Sequence, residues 1–310
     1  MSNLNKIVKI GGQAIIEGVM MITPGSWALA VRKPNGDIET RSWQRTSLII
    51  RYPILKLPFI RGFITLIEMM TLGFKSLDLS AQLAYEEESG KSWKDNLIMI
   101  VSLLAVVALF FLLPFWASKK LIPGIYANNQ GLLNIIIGLV RLLLFVLYLC
   151  LISLSKEIRR IFEYHGAEHQ AIHCYESGYE LNPENAGKLD KEHPRCGTSL
   201  ILVTLIFAIL ISSLVDTLLF NILGVQNNPV IRTLVHLALI PLVAGSAYEF
   251  NKLGYKYQNH PVFKVMIFPG LMFQKITTRK PDQQQLEVSI EAIHAAMDIL
   301  EPSESQSPED

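Results

Sequence analysis

Four stretches of this chain are too long and too apolar for an ordinary water-soluble fold. A helix needs about 20 apolar residues to cross the hydrocarbon of a bilayer. Leu97–Ala117, Leu132–Leu154, Leu200–Leu223 and Val230–Phe250 each supply that length. Within hydrocarbon a spanning segment must satisfy its own backbone polar groups, which makes such runs helices. The chain is therefore read as a mainly α, polytopic membrane protein with four transmembrane helices. The short loops Ser118–Gly131 and Gly224–Pro229 would turn two hairpins. Composition agrees, because half of the 310 residues are hydrophobic and only 18% are charged, against about 25% in soluble domains. Basic residues (28) and acidic residues (27) nearly cancel, so no nucleic-acid partner is expected. Cys150, Cys174 and Cys196 are too few and scattered for a disulfide framework and read as reduced thiols. The first twenty residues lack a continuous apolar core before a cleavage site, and are not read as a signal peptide.

Lys and Arg concentrate on the cytoplasmic side of a membrane. Residues 1–96 hold twelve of them, 155–199 six and 251–310 six, whereas the two short loops hold only Lys119 and Lys120. The expected product is a multi-pass cell-membrane protein with its N-terminus, central loop and C-terminus in the cytoplasm.

The polar regions divide further. Residues 1–57 form an N-terminal cytoplasmic β/loop region, with a β-hairpin turning at Pro34-Asn35-Gly36-Asp37. Within it, IVKIGGQAIIEGVM alternates short apolar runs with glycines. Residues 58–96 carry a long helix starting near Pro58. Its apolar content suggests an interfacial or buried helix, and Arg61, Glu68 and Lys75 argue against a full span. The first hairpin (97–154) is followed by a central loop (155–199), then the second hairpin (200–250). Residues 251–300 begin with a short apolar stretch interrupted at Pro269-Gly270. Leu286, Ile290, Ile293, Met297 and Leu300 then mark an amphipathic helix that must dock on something. Residues 301–310 are acidic and expected to be disordered.

The central loop gathers the ligand-type side chains. His165 and His169 are four residues apart, on one face of a helix, with Glu168 between them. This H-x-x-E-H order is the one in which two histidines bind zinc and the carboxylate serves as base toward a bound water. His173 continues the stripe, about 12 Å beyond His165, and is read as a surface or partner-bonded histidine. His193 and Cys196 in HPRCG form a second pair, which with the first would make a His₃Cys set suited to zinc. Three readings stay open: a catalytic ion, a structural ion, and no metal. Zinc is the leading choice of divalent ion, with iron or manganese as alternatives. Gln13, Glu17 and Glu176 are further candidates, and GGQAIIEG has no phosphate-loop pattern. Within the spans, Arg141, Asp216 and His236 are functional candidates by default. Asp216 is expected to pair with Arg141 or His236, and Arg232 to snorkel at the outer interface.

GGQAIIEGVMM, YHGAEHQAI with YESG and PEN, HPRCGTS, PLVAGSAYE and PGLMFQKITTRKPDQQQLEV together resemble the YqhQ family of bacterial membrane proteins, over almost the whole chain. That resemblance implies a domain of unknown function, described as a predicted metal-dependent enzyme. It places Gly12, Gln13, Glu17, Gly18, His165, Glu168, His169, Glu176, His193, Cys196, Gly197 and Glu249 at motif positions. Met21-Ile22-Thr23-Pro24 departs from the family's usual Arg after the paired methionines, so no essential cation is expected at position 22.

The leading functional expectation is metal-assisted hydrolysis of a lipid or membrane-associated substrate. Glu168 would be the catalytic base, and His165, His169, His193, Cys196 and Glu249 the metal set. Glu249 is expected near the histidines because its span ends on their membrane face. The alternative is a non-enzymatic transporter or assembly factor with a structural metal site.

Overall fold

The computed structural model describes residues 8–86, 93–107, 130–225 and 229–299, with isolated positions between 107 and 130. The chain begins as an antiparallel meander of four strands in sequential order: β1 (Gly11–Ile15), β2 (Gly18–Ile22), β3 (Ser26–Arg32) and β4 (Ile38–Gln44). The expected hairpin is β3–β4, turning at 33–37 with Arg32 opposite Ile38. The first hairpin was not expected. Its two-residue turn, Ile16-Glu17, puts Glu17 rather than a glycine at positive φ (50°), so the usual turn signal is missing. All five residues of β2, GVMMI, are buried. A strand covered on both faces loses the alternation by which strands are recognised.

Val19, Met21, Ala28 and Ala30 face one hydrophobic core; Met20, Trp27, Leu29 and Val31 face the other. The first core is closed by α5 (Lys156–Glu176) and the C-terminal amphipathic helix, α10 (Gln283–Asp298), whose Leu286, Ile290 and Ile293 are buried. The sheet is therefore what that amphipathic helix docks on. Leu300 and the tail 301–310 lie outside the described residues. The second core is closed by α2 (Ile60–Tyr85), preceded by α1 (Leu48–Arg51) and a 3-10 turn, Pro53–Lys56. Three charges on α2 find partners on neighbouring elements, while Asp78 is exposed. Arg61 binds Glu249, Glu68 accepts from Arg45 at 2.7 Å, and Lys75 lies 5.1 Å from the centre of the Trp27 ring, which stacks on Trp43. Ile60, Ile67, Met70 and Phe74 are exposed.

Three helices among the described residues, not four, are long and apolar enough to cross a membrane. They lie within α4 (Gln130–Ile152), α7 (Gly197–Asp216) with its π-helical extension Thr217–Ile222, and α8 (Pro229–Lys256). Of the first expected span, α3 (Trp93–Val107) is described, and most of the rest to Ala117 lies outside the described residues. α6 (Pro183–Ala186) is a single turn in the central region. α9 (Pro261–Thr277) corrects the expected interruption at Pro269-Gly270: the helix runs through Pro269. That proline forgoes one helical hydrogen bond and crowds the carbonyl four residues before it, yet does not end the helix.

Inside the spans, fully buried Asp216 meets His236 at 2.9 Å, as expected, and also Arg232 at 2.9 Å and Asn134 at 2.6 Å. Arg232 therefore turns inward instead of snorkelling, because a desolvated carboxylate needs a cation more than the interface does. Arg141 is half-buried on α4.

Candidate functional site

The Oγ of Ser155 caps α5, accepting from the Ile158 N–H at 3.2 Å. From Tyr164 to Ile172 every residue is buried. A sequence this polar, buried on all sides, is stable only if its polar groups find partners.

His165 and His169 stand one turn apart, with ring centroids separated by 4.4 Å. The Nδ1 of His165 meets the Thr277 carbonyl at 2.8 Å, and that of His169 meets the Lys191 carbonyl at 2.5 Å. A carbonyl can only accept, so each neutral ring carries its proton on Nδ1 and presents the Nε2 lone pair. His165 Nε2 lies 3.2 Å from Cys196 Sγ, and His169 Nε2 is buried without a hydrogen-bond partner. These three atoms fall within 4.8 Å of one another, which makes the trio a set able to hold a metal ion. Cys196 caps α7, its Sγ 3.4 Å from the Thr198 N–H and 3.0 Å from the Thr198 hydroxyl. Burial opposes ionisation of this thiol, but the neighbouring His169 and the Thr198 hydrogen bonds favour the thiolate and leave the thiol below its ordinary value. Burial lowers His169.

Glu168 lies beneath the sheet. The Ala14 N–H is directed at its carboxyl, and a Cβ on Gly12 would come within 2.8 Å of its Cγ and Oε1. Gly12 is the one residue type that leaves room for this side chain. Burial, opposed by the neighbouring His165 and reinforced by Cys196, pushes the carboxyl up to about 8. Its Oε2 is buried without a hydrogen-bond partner. A carboxyl titrating near neutrality with one free oxygen is suited to take up and return a proton.

The other candidates separate. His193 stands beside the trio, its ring 5.7 Å from that of His169. Its Nδ1 accepts the Arg195 N–H at 3.2 Å, and its Nε2 faces Glu176 at 3.5 Å. Burial, with His173 beside it, pushes His193 down to about 3. His173 is partner-bonded, its Nε2 2.9 Å from the Glu192 carbonyl. Glu176 is also held by Arg195. Glu249 does not join the trio; it receives two hydrogen bonds from Arg61, at 2.6 and 2.5 Å. Glu17 pins the β1–β2 turn to α5 through Arg160 and the Tyr164 hydroxyl. Gln13 points to the opposite face of the sheet from Gly12, against Gly73 of α2.

Sequence reasoning missed Gln274. Fully buried on α9, it accepts the His193 N–H at 2.7 Å and donates to the His193 carbonyl and to Ser199 Oγ at 2.8 and 2.9 Å. A lone amide inside the apolar run PGLMFQKI was the available signal. Thr277 and Lys191 act through backbone carbonyls, which leave no trace in a sequence.

The family described as "Protein of unknown function (DUF1385)" matches residues 57–299. The chain is 31% identical to "Uncharacterized protein YqhQ" of Bacillus subtilis (strain 168), over 96% of this chain and 95% of that one. No solved structure matches it. Two signals of this extent, one covering most of the chain and one nearly all of it, agree with the motifs read from the sequence: the chain belongs to the YqhQ family of proteins of unknown function.

Proposed function

We propose that this chain is a membrane-embedded, metal-dependent hydrolase. One observation carries the reading: two Nε2 lone pairs and a thiol sulfur converge in a buried space, with both imidazoles locked in the metal-binding tautomer by backbone carbonyls. Without a cation the Cys196 thiol can serve only the His165 Nε2, and the His169 Nε2 lone pair is left unpaired at a desolvated site. His165, His169 and Cys196 would hold the ion, and the thiolate favours zinc or iron over manganese. Three protein ligands leave a fourth position for water, the pattern of catalytic rather than structural zinc. A bound ion would supply Lewis acidity at that position. Glu168, with its free buried oxygen, would serve as the base that takes up a proton from a nucleophilic water and returns it to the leaving group of a carbonyl or phosphoryl substrate. His193 and Glu176, fixed by Gln274 and Arg195, line the neighbouring wall.

The site faces the cytoplasm in this reading, on the strength of twenty-four Lys/Arg outside the spans on that side against two in the opposite loops. The most N-terminal apolar run, Leu97–Ala117, serves as a fourth span and brings the N-terminal sheet to the same side as α5. The substrate is membrane-associated in this reading, since Cys196 caps α7, one of the candidate spans.

Metal analysis of the purified full chain should give about one zinc or iron per molecule. Cobalt substitution should add a thiolate charge-transfer band that Cys196→Ser abolishes. If His165→Ala and His169→Ala both retain the wild-type metal content, the centre is wrongly placed. Transport is the competing reading, favoured by the buried Asp216–Arg232–His236 cluster within the spans. An active Glu168→Gln protein beside an inactive Asp216→Asn protein, in a complementation assay, would decide for it.

A further inference from the structure

We propose that Leu48–Ile60 is an interfacial wedge that enters the cytoplasmic leaflet beside α8 without crossing the bilayer. The inference uses α8 as a span and owes nothing to the metal reading.

The wedge is apolar where a soluble loop would be polar. Ile50, Ile54, Leu57 and Phe59 are 46–70% exposed, although the segment is closed by defined contacts at both ends. At its upper end Glu68 accepts from Ser47 Oγ at 2.8 Å and from the Leu48 N–H at 2.6 Å. Its lower end is seated on α8. Phe59 takes positive φ (66°), and its backbone packs so closely on Gly245 that a Cβ there would lie 2.3 Å from the Phe59 carbonyl oxygen. Gly62 packs in the same way on Tyr248, and Arg61 on Glu249.

These contacts give a depth. Counting about 20 residues of hydrocarbon from the start of α8 ends near Phe250, so Gly245 lies about 7 Å below that boundary at 1.5 Å per residue. Phe59 shares this level. Glu68, nine residues further along α2, stands about 13 Å higher, in water. Interfacial elements bury their apolar side by about 5–10 Å at the headgroup–acyl boundary, which is the depth found. The charges fit the same occupant. Arg61 is neutralised by Glu249, while Arg51 and Lys56 are exposed and long enough to reach lipid phosphates. Tyr52, with Arg51 5.5 Å from its ring centre, has the side-chain type that collects at this boundary. The partner is a bilayer carrying anionic headgroups.

The full chain, in a Cys150→Ser background, is reconstituted into phosphatidylcholine vesicles with and without phosphatidylglycerol. A nitroxide is attached to cysteine at position 54, 57 or 35. Ile54→Cys and Leu57→Cys should relax with oxygen more than with a nickel chelate, and Asn35→Cys the reverse. Arg51→Glu with Lys56→Glu should raise chelate access at position 54 several-fold, only where phosphatidylglycerol is present. Chelate access at 54 and 57 equal to that at 35 overturns the proposal. So does exclusion of both reagents with spin–spin broadening, which would mean that a second copy covers the tip. An equal effect of charge reversal in both vesicles removes the anionic lipid as partner.

Discussion

Replacing either of two adjacent glycines by alanine should have opposite consequences. A Cβ on Gly11 would meet nothing within 4 Å, whereas one on Gly12 would fall 2.8–2.9 Å from Glu168 Cγ, Oε1 and Cδ. Those distances are far inside the 3.4 Å at which ordinary contact begins, and the atoms belong to a side chain that is only 5% exposed. Overpacking of this kind costs about 1–3 kcal/mol. The lower backbone entropy of alanine returns roughly 0.5–1 kcal/mol in a strand, at both positions. Gly11→Ala should therefore be neutral or slightly stabilising, and Gly12→Ala should lose about 1–2 kcal/mol. For a chain of this size that is a fall in Tm of several degrees, at about 2–4 °C per kcal/mol. Thermal unfolding of the detergent-solubilised chain measures it. Gly12→Ala combined with Glu168→Ala should be less destabilised than the sum of the single changes, because the new methyl enters space the carboxylate vacates. Equal Tm changes for the two glycines, or strict additivity in the cycle, would refute the placement of Glu168 under β1.

Gln274→Ala removes three buried hydrogen bonds around His193 and Ser199 and should cost about 2–4 kcal/mol, read as a lower Tm of the detergent-solubilised chain. Asp216→Ala strands the Arg232 guanidinium inside the spans and should destabilise by about 3–5 kcal/mol, read by thermal unfolding in detergent. Gly245→Ala would drive a methyl into the Phe59 backbone; its Tm should fall by several degrees through overpacking, whereas Gly178→Ala, which meets no neighbour but has positive φ (72°), should lose only about 1 kcal/mol from strain.

The sequence by itself determined the features that depend on local pattern. Three of the apolar runs are helices near their expected limits. The hairpin at Pro34–Asp37 forms, and His165 and His169 share a helix face because residues four apart always do. The amphipathic stripe ending at Met297 formed a docked helix for the same reason. What the pattern could not express was decided by distant partners. β1 and β2 were hidden because α2 and α5 cover opposite faces of the sheet, which erases alternation. His165, His169 and Cys196 were separable from His193 and Glu249 only in three dimensions. His193 is turned aside by the Arg195 N–H and Glu176, and Glu249 is captured by an arginine 188 positions away. The tautomers that aim both Nε2 atoms inward are set by the carbonyls of Thr277 and Lys191. Any residue but proline offers the same carbonyl and N–H, so no choice of amino acid at 191 or 277 encodes them; only the path of the folded backbone brings them to the imidazoles.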